Sequence, residues 1–273
     1  MPPHTDYAAV TKGKLMLSKQ WMLGLLVVLL AAPGIRAQTA PQSAAAPQAA
    51  ANPVNPGAVQ ALKDLGAHLQ TLQRFQVTSH VTGERVLADG QKLQHTASAT
   101  LYVSRPDKMR VHMVTASAER ELIYDGKTVT LYTPGQKSYS AVEFSGTLGQ
   151  LVEALQTKFG VDVPLSDLFV WGTADAPVNT IESAMNAGQD LIDGQAYDHF
   201  AFRQGPLDWQ IWISTGSKPL PRKIAITNRT DDARPQSMSL LEWNLKPTFK
   251  DSVFNFVPPK DVTKAQIVPL KTK

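Results

Sequence analysis

The sequence predicts a mainly β, α+β fold: a curved antiparallel sheet of about eleven strands accompanied by a few helices. Three observations carry this. Most of the chain alternates apolar and polar residues with period two, as half-buried strands do. Short turns of Asp-Gly, Pro-Gly and Gly-Pro type separate the runs. Only a few stretches are helical in pattern, two of them with the spacing of three and four that marks an amphipathic helix.

The elements follow in order. Lys12, Lys14 and Lys19 precede an apolar run from Trp21 to Ala32, which Pro33-Gly34 breaks before Ile35-Arg36-Ala37. Charge, then apolar core, then break is the layout of a secretory signal peptide. The core is shorter than the roughly 20 residues of a membrane span. Residues 1–37 are therefore expected to be cleaved on export. The long stretch before Lys12 makes Met16 an alternative start. Residues 38–54 are mostly Ala, Pro and Gln, a composition that cannot bury enough surface to fold, and are expected to be a flexible linker.

A single folded domain is expected over 55–262. Asn55-Pro56 reads as an N-cap followed by proline at the first helical position. Val59, Leu62, Leu65, Leu69 and Leu72 then form one stripe. Strands are expected at Phe75–Thr82, Lys92–Val103, Lys108–Val114, Arg120–Tyr124, Thr128–Thr133 and Ser138–Val142. Together they make an up-and-down meander. Thr147 is placed to cap a helix carrying Leu148, Leu151, Val152, Leu155 and Phe159, with Gly160 ending it. Pro164–Trp171 reads as a short second helix capped by Ser166, and Val178–Ala187 as a weaker third.

The meander then resumes over Gln189–Ile213, turning at Asp193-Gly194 and at Gly205-Pro206. Phe200, Phe202, Trp209, Ile211 and Ile213 are expected on one face, with Asp198, Arg203, Asp208 and Gln210 on the other. Pro221–Asn228 and Met238–Leu245 read as further strands. Phe254-Asn-Phe256 is expected to close the core, and 263–273 to be a basic tail.

Composition excludes several functions. Net charge is +4 overall, but four bases and one acid fall in residues 1–37, so the rest carries only +1. No basic field for nucleic acid remains. The absence of cysteine excludes disulfides, thiol catalysis, thiolate metal sites and a lipidated N-terminal cysteine. There is no phosphate loop, no Gly-x-Ser-x-Gly elbow and no His-Glu-x-x-His. Tyr197-Asp198-His199 is not a simple site, because adjacent strand residues face opposite ways. His95 lies in the apolar set of its strand and reads as a core histidine. Glu119 and Glu121 share a face without a defined partner. No catalytic residue, metal or cofactor is expected.

The apolar faces leave two readings open. They fill a plain core, or they line a pocket for an acyl chain, in which case the lining is Leu101, Val103, Met109, Val111, Met113, Leu122, Phe200, Phe202, Trp209 and Ile211. Small Ala97 and Ala99 on the same face leave room.

Trp209–Ile213, Pro219–Pro221 and Phe254–Pro259, set after a signal peptide, a helix and a six-strand meander, carry a resemblance. Over Val54–Val262 the chain resembles a family of predicted periplasmic bacterial proteins related to the Lol-type lipoprotein carriers. The resemblance implies an incomplete antiparallel β-barrel wrapped over lid and plug helices, here Asn55–Leu72 and Thr147–Trp171. It implies a soluble, monomeric periplasmic protein holding the acyl chains of lipid or lipoprotein without cofactor. The alternative is an envelope sensor whose exposed strand edges recognise a protein partner.

Overall fold

The computed structural model describes residues 53–266. The expected signal segment, nearly all of the linker and the last seven residues of the expected tail lie outside them. Three helices and twelve strands follow: α1 (Pro56–Thr71), β1 (Arg74–Val86), β2 (Lys92–Ser104), β3 (Lys108–Thr115), β4 (Glu119–Tyr124), β5 (Thr128–Thr133), β6 (Ser138–Glu143), α2 (Leu148–Phe159), α3 (Asp167–Val170), β7 (Ser183–Ile192), β8 (Gln195–Gln204), β9 (Leu207–Ser214), β10 (Pro221–Asn228), β11 (Gln236–Asn244) and β12 (Thr263–Lys264).

All twelve strands belong to one sheet in the order β12-β6-β5-β4-β3-β2-β1-β11-β10-β9-β8-β7. The two meanders meet where β1 pairs with β11. The sheet has two ends and does not close, as an incomplete barrel requires. One end is covered by β12, which pairs in parallel with β6. At the other, β7 pairs only with β8, apart from a single parallel bridge between Val54 and Ala184.

Local chemistry explains most boundaries. The Asn55 side chain accepts from the Ala58 amide at 3.0 Å and Pro56 opens α1. Thr147 and Gln150 form a reciprocal capping box on α2, and Gly160 ends it in the left-handed conformation at φ 65°. Asp193 and Gly194 both take positive φ, 52° and 76°, as a tight hairpin turn demands.

The structure corrects five expectations. Val178–Ala187 is no helix. It is a single 3₁₀ turn over Val178–Thr180 followed by the start of β7, where pairing of Ala184 with Phe202 outweighs weak local helical preference. Ser166 is itself in helical conformation and makes no capping hydrogen bond. Asp198 falls in register with Ile213 and shares the parity of Phe200 and Phe202; strand alternation puts it on their side of the sheet, at the end where its carboxylate accepts from Gln189. The folded chain continues past 262, because Thr263-Lys264 is β12 rather than free tail. Phe254 and Phe256 do not close the main core. They lie on the opposite face of the sheet, where Phe256 packs on Tyr132 and Tyr139 and Phe254 packs edge-on against Phe249. Arg74 sits over the Phe249 ring and bonds Asp251, fixing this C-terminal strap.

The main core lies between the other face and the helices. Leu62, Leu65 and Leu69 of α1, Leu148, Leu151 and Leu155 of α2, and Leu168 and Phe169 of α3 join the sheet residues in one buried cluster. The helices meet at a point where side chains have no room. A Cβ on Gly66 would lie 2.4 Å from the Gly172 nitrogen, and one on Gly172 would lie 2.3 Å from the Gly66 carbonyl oxygen. We expect Gly66→Val to force the two backbones apart and to cost about 2 kcal/mol, as overpacking does. A lower urea midpoint checks this; an unchanged midpoint contradicts the close contact.

Candidate functional site

The inner, helix-covered face is built from cross-strand rows. One row runs Val142, Val129, Tyr124, Met109, Val103, Phe75. The next runs Leu131, Leu122, Val111, Leu101, Val77, Trp243. On the second meander Phe200 pairs with Ile211, which pairs with Ile224, while Phe202 pairs with Trp209, which pairs with Ile226. A strict period of two over paired strands places all ten residues named from sequence on this one face. Leu101, Val103, Met109, Val111, Leu122, Phe200, Phe202, Trp209 and Ile211 are buried in the shared cluster, and Met113 packs half-buried against it.

Cover is uneven along the strands. The helices sit over the end near the β2–β3 turn, where the Leu148 amide donates to the Pro106 carbonyl. On the first meander, toward the other end, Val81, Ala97 and Met113 are only half-buried, whereas at that end of the second meander Phe202 and Trp209 stay buried. The inner face of the first meander is thus sealed at one end and thinly covered at the other.

Few polar contacts hold the helices down. Gln70 donates to the Trp171 carbonyl at 2.6 Å. Arg105, from the β2–β3 turn, reaches the carbonyls of Leu69 at the end of α1 and Leu168 in α3, at 3.5 and 3.4 Å. Its guanidinium lies 5.8 Å from the Phe169 ring centre and has no carboxylate partner among the described residues. Burial lowers its pKa. Trp171, just past α3, stacks on Trp209 at 6.2 Å, and Trp209 stacks on Phe202 at 4.2 Å. Trp209 is therefore the seat on which the last helical turn docks.

Three polar atoms on this apolar face have no hydrogen-bond partner: Ser79 Oγ, His95 Nε2 and Trp209 Nε1. Each such group costs about 1–3 kcal/mol. Burial at the start of α3 disfavours the ionised form of Asp167 and pushes its pKa up to about 6. The cover of the face therefore contains groups that would be better satisfied elsewhere.

Sequence reading missed Arg105, Ser79 and Trp171. Ser79 was detectable, since it has the parity of Phe75 and Val77. Arg105 was assigned only a turn, and its reach to two helices depends on tertiary placement. Two clefts among the described residues, of about 450 and 300 Å³, are lined by none of the ten predicted residues. The smaller lies under the C-terminal strap beside Phe254 and Phe256.

Other polar clusters lie on the outer face. His112, Glu119 and Glu121 bring one ligand atom each within 4.8 Å of one another. Arg110 already pairs with Glu121, and His112 with Glu119, so their charges are satisfied within the cluster. His199 faces Asp190 at 3.6 Å rather than its neighbour Asp198. It stacks on Trp212, which also carries Lys223 over its ring at 4.2 Å.

Residues 58–268 match the model of a family described as predicted periplasmic protein, DUF2092. A search of curated protein sequences gives no match. Among solved structures the chain is similar to lipoprotein LppX of Mycobacterium tuberculosis, at 11% identity and TM-score 0.38, over 71% of this chain and 98% of that one. It is similar to a LolA superfamily protein from Nitrosomonas europaea, at 10% identity and TM-score 0.35, over 73% and 97%. It is also similar to MucB in complex with MucA(peri), at 13% identity and TM-score 0.40, over 76% and 62%.

Asp167 makes the docking of α3 sensitive to pH. Its folded-state pKa lies above the unfolded value, so the folded chain binds its proton more tightly. The contribution is present in full below about pH 4 and is lost as pH rises through about 6. We expect Asp167→Asn to be more stable than the parent at pH 7, by about 1–2 kcal/mol for a half-buried group, with the gap closing toward pH 4. Urea midpoints measured across that range check it; parallel curves contradict it.

Proposed function

We propose, for a chain that belongs to the DUF2092 family of predicted periplasmic proteins, that it is a non-catalytic binding or carrier protein for a hydrophobic, acyl-bearing ligand. The ligand is a lipid or the lipid-modified end of a lipoprotein, and its chains lie on the inner face of the sheet. The observation that carries this reading is the continuity of the apolar rows beneath a cover tied down by so few polar bonds. Leucines from α1 and α2 occupy that face in this structure, and an acyl chain offers the same methylene surface in exchange. At about 0.8 kcal/mol per buried CH₂, a long chain competes with a few leucine side chains.

The half-buried end near Val81, Ala97 and Met113 is where the cover leaves most room for a chain. Ser79 and Trp209 could then meet an ester or amide oxygen. Arg105 would act as a tether that keeps α1 and α3 near the sheet while their leucines move aside. Export by a cleaved signal peptide, without lipidation, belongs to the same reading.

One observation favours a second reading, recognition of a protein partner. β7 leaves its outer edge open, and every residue from Met185 to Leu191 is exposed. An extended segment of another protein could add there as a strand. In-cell crosslinking from β7 separates the two: one dominant protein partner supports the sensor, and diffuse or absent partners support the carrier.

The test of the leading reading is native mass spectrometry after gentle extraction, together with titration of a fluorescent fatty acid. Co-purifying lipid and saturable binding are expected. Ala97→Glu, at the half-buried end, should weaken fatty-acid binding about tenfold or more without unfolding the chain, because it places a charge where the acyl chain lies. Repeated recovery free of lipid, with no fatty-acid binding, overturns the proposal.

A further inference from the structure

β10 and β11 separate at one end of the sheet. Their ladder runs from Thr227 opposite Gln236 to Lys223 opposite Leu240, while β11 continues to Asn244. Two residues stop it. Pro221 has no N–H to donate, and Arg222 beside it is bulged out of register with β9 on the other side and stays unpaired with β11. Side chains take over. Trp243 Nε1 donates to the Pro221 carbonyl at 2.8 Å, and Arg222 Nη1 donates to the Leu241 carbonyl. The gap is the cleft of about 450 Å³.

Its floor is apolar. Leu241 is part of the main core, and Leu220 and Trp243 pack against that core. Its rim is charged with both signs. Arg222, with its side chain only 17% exposed, donates through Nη2 to Asp193, whose side chain is 71% exposed. Glu242 stands on the other wall, with His80 as its neighbour at 3.8 Å. Tyr197 adds a second ring to the lining.

Each feature selects part of a ligand. A guanidinium has five donors, and two bonds leave its fork able to take a phosphate. Carboxylates beside aromatic rings suit an ammonium. A floor continuous with the core suits a hydrocarbon chain. A simple anion meets two carboxylates here, and a simple cation meets Arg222. A zwitterion satisfies both signs.

We propose that this cleft seats the headgroup of a zwitterionic phospholipid, with its phosphate on Arg222, its ammonium between Asp193 and Glu242, and its chains starting at Trp243. This rests on the acyl-binding reading and goes beyond it by naming the lipid class and the position of its head. Arg222 exchanges Asp193 for the phosphate, which frees that exposed carboxylate for the ammonium.

The test titrates the protein with dihexanoyl phosphatidylethanolamine and with dihexanoyl phosphatidylglycerol, which lacks the ammonium, alongside the fluorescent fatty acid. The ethanolamine lipid is expected to bind about fivefold more tightly than the glycerol lipid. The double variant Asp193→Asn, Glu242→Gln should lose that preference and keep fatty-acid binding, and Arg222→Gln should weaken both phospholipids. Both carboxylates are exposed, so the double variant remains informative if Arg222→Gln fails to fold. Fatty-acid binding with equal affinity for the two phospholipids, or with a preference the double variant retains, overturns the headgroup site alone. No binding of any of the three overturns the acyl-binding reading and this inference with it.

Discussion

A broad sheet with one apolar face must have that face covered, and the rest of this structure depends on how that is done. The strands supply long rows of Val, Leu, Met, Phe and Trp on the inner face. The chain offers only α1, α2 and the single turn of α3 to lie against them. Exposed, such a surface would drive association. Fully packed with large helices, it would be an ordinary core. The observed state lies between. Buried leucines cover one end, half-buried Val81, Ala97 and Met113 mark the other, and polar atoms on the covered face lack partners.

The two faces of the sheet are managed differently. On the outer face a C-terminal strap of aromatic residues and ion pairs crosses from β11 to the β6 edge and ends by pairing there as β12. Those contacts are aromatic, charged and distributed, and they fix the sheet. On the inner face the helices contribute mostly aliphatic contacts, with a few directional bonds at their ends: Asn55 to Ala184, Gly146 to Tyr124, Leu148 to Pro106, Gln70 to Trp171 and Arg105 to Leu69 and Leu168. Non-directional contacts can be replaced by any chain of similar polarity. Directional ones cannot, so on the proposed reading Arg105 would serve as the tether of the cover.

Much of this was legible in the residues. Period two and turn chemistry located β1–β6 and β8–β11, and the caps at Asn55 and Thr147 located α1 and α2. The parity of strand positions was enough to place all ten inner-face residues together. What was not legible depended on pairing at a distance. Ser183–Ala187 reads as a weak helix until β8 is there to pair with it. Phe254 and Phe256 look like core closers, and only the path of the strap puts them on the outer face. Arg105 is one arginine before a proline until α1 and α3 bring their carbonyls to it. The sorting of Trp209 inward and Trp212 outward follows from alternation, whereas the docking of Trp171 on Trp209 does not. The stretch Gln189–Ile213 is thus both the floor of the inner face and the seat of its cover.

The central claim is that helices and acyl chains exchange on the inner face, and hydrogen exchange with and without a bound fatty acid tests it most directly. On addition of fatty acid, amides in α1 and in the segment from α2 through Trp171 should lose protection, while those of β1, β2, β8 and β9 keep theirs. Unchanged helix protection in the presence of saturating fatty acid would contradict the account, because the helices would then be a fixed part of the core.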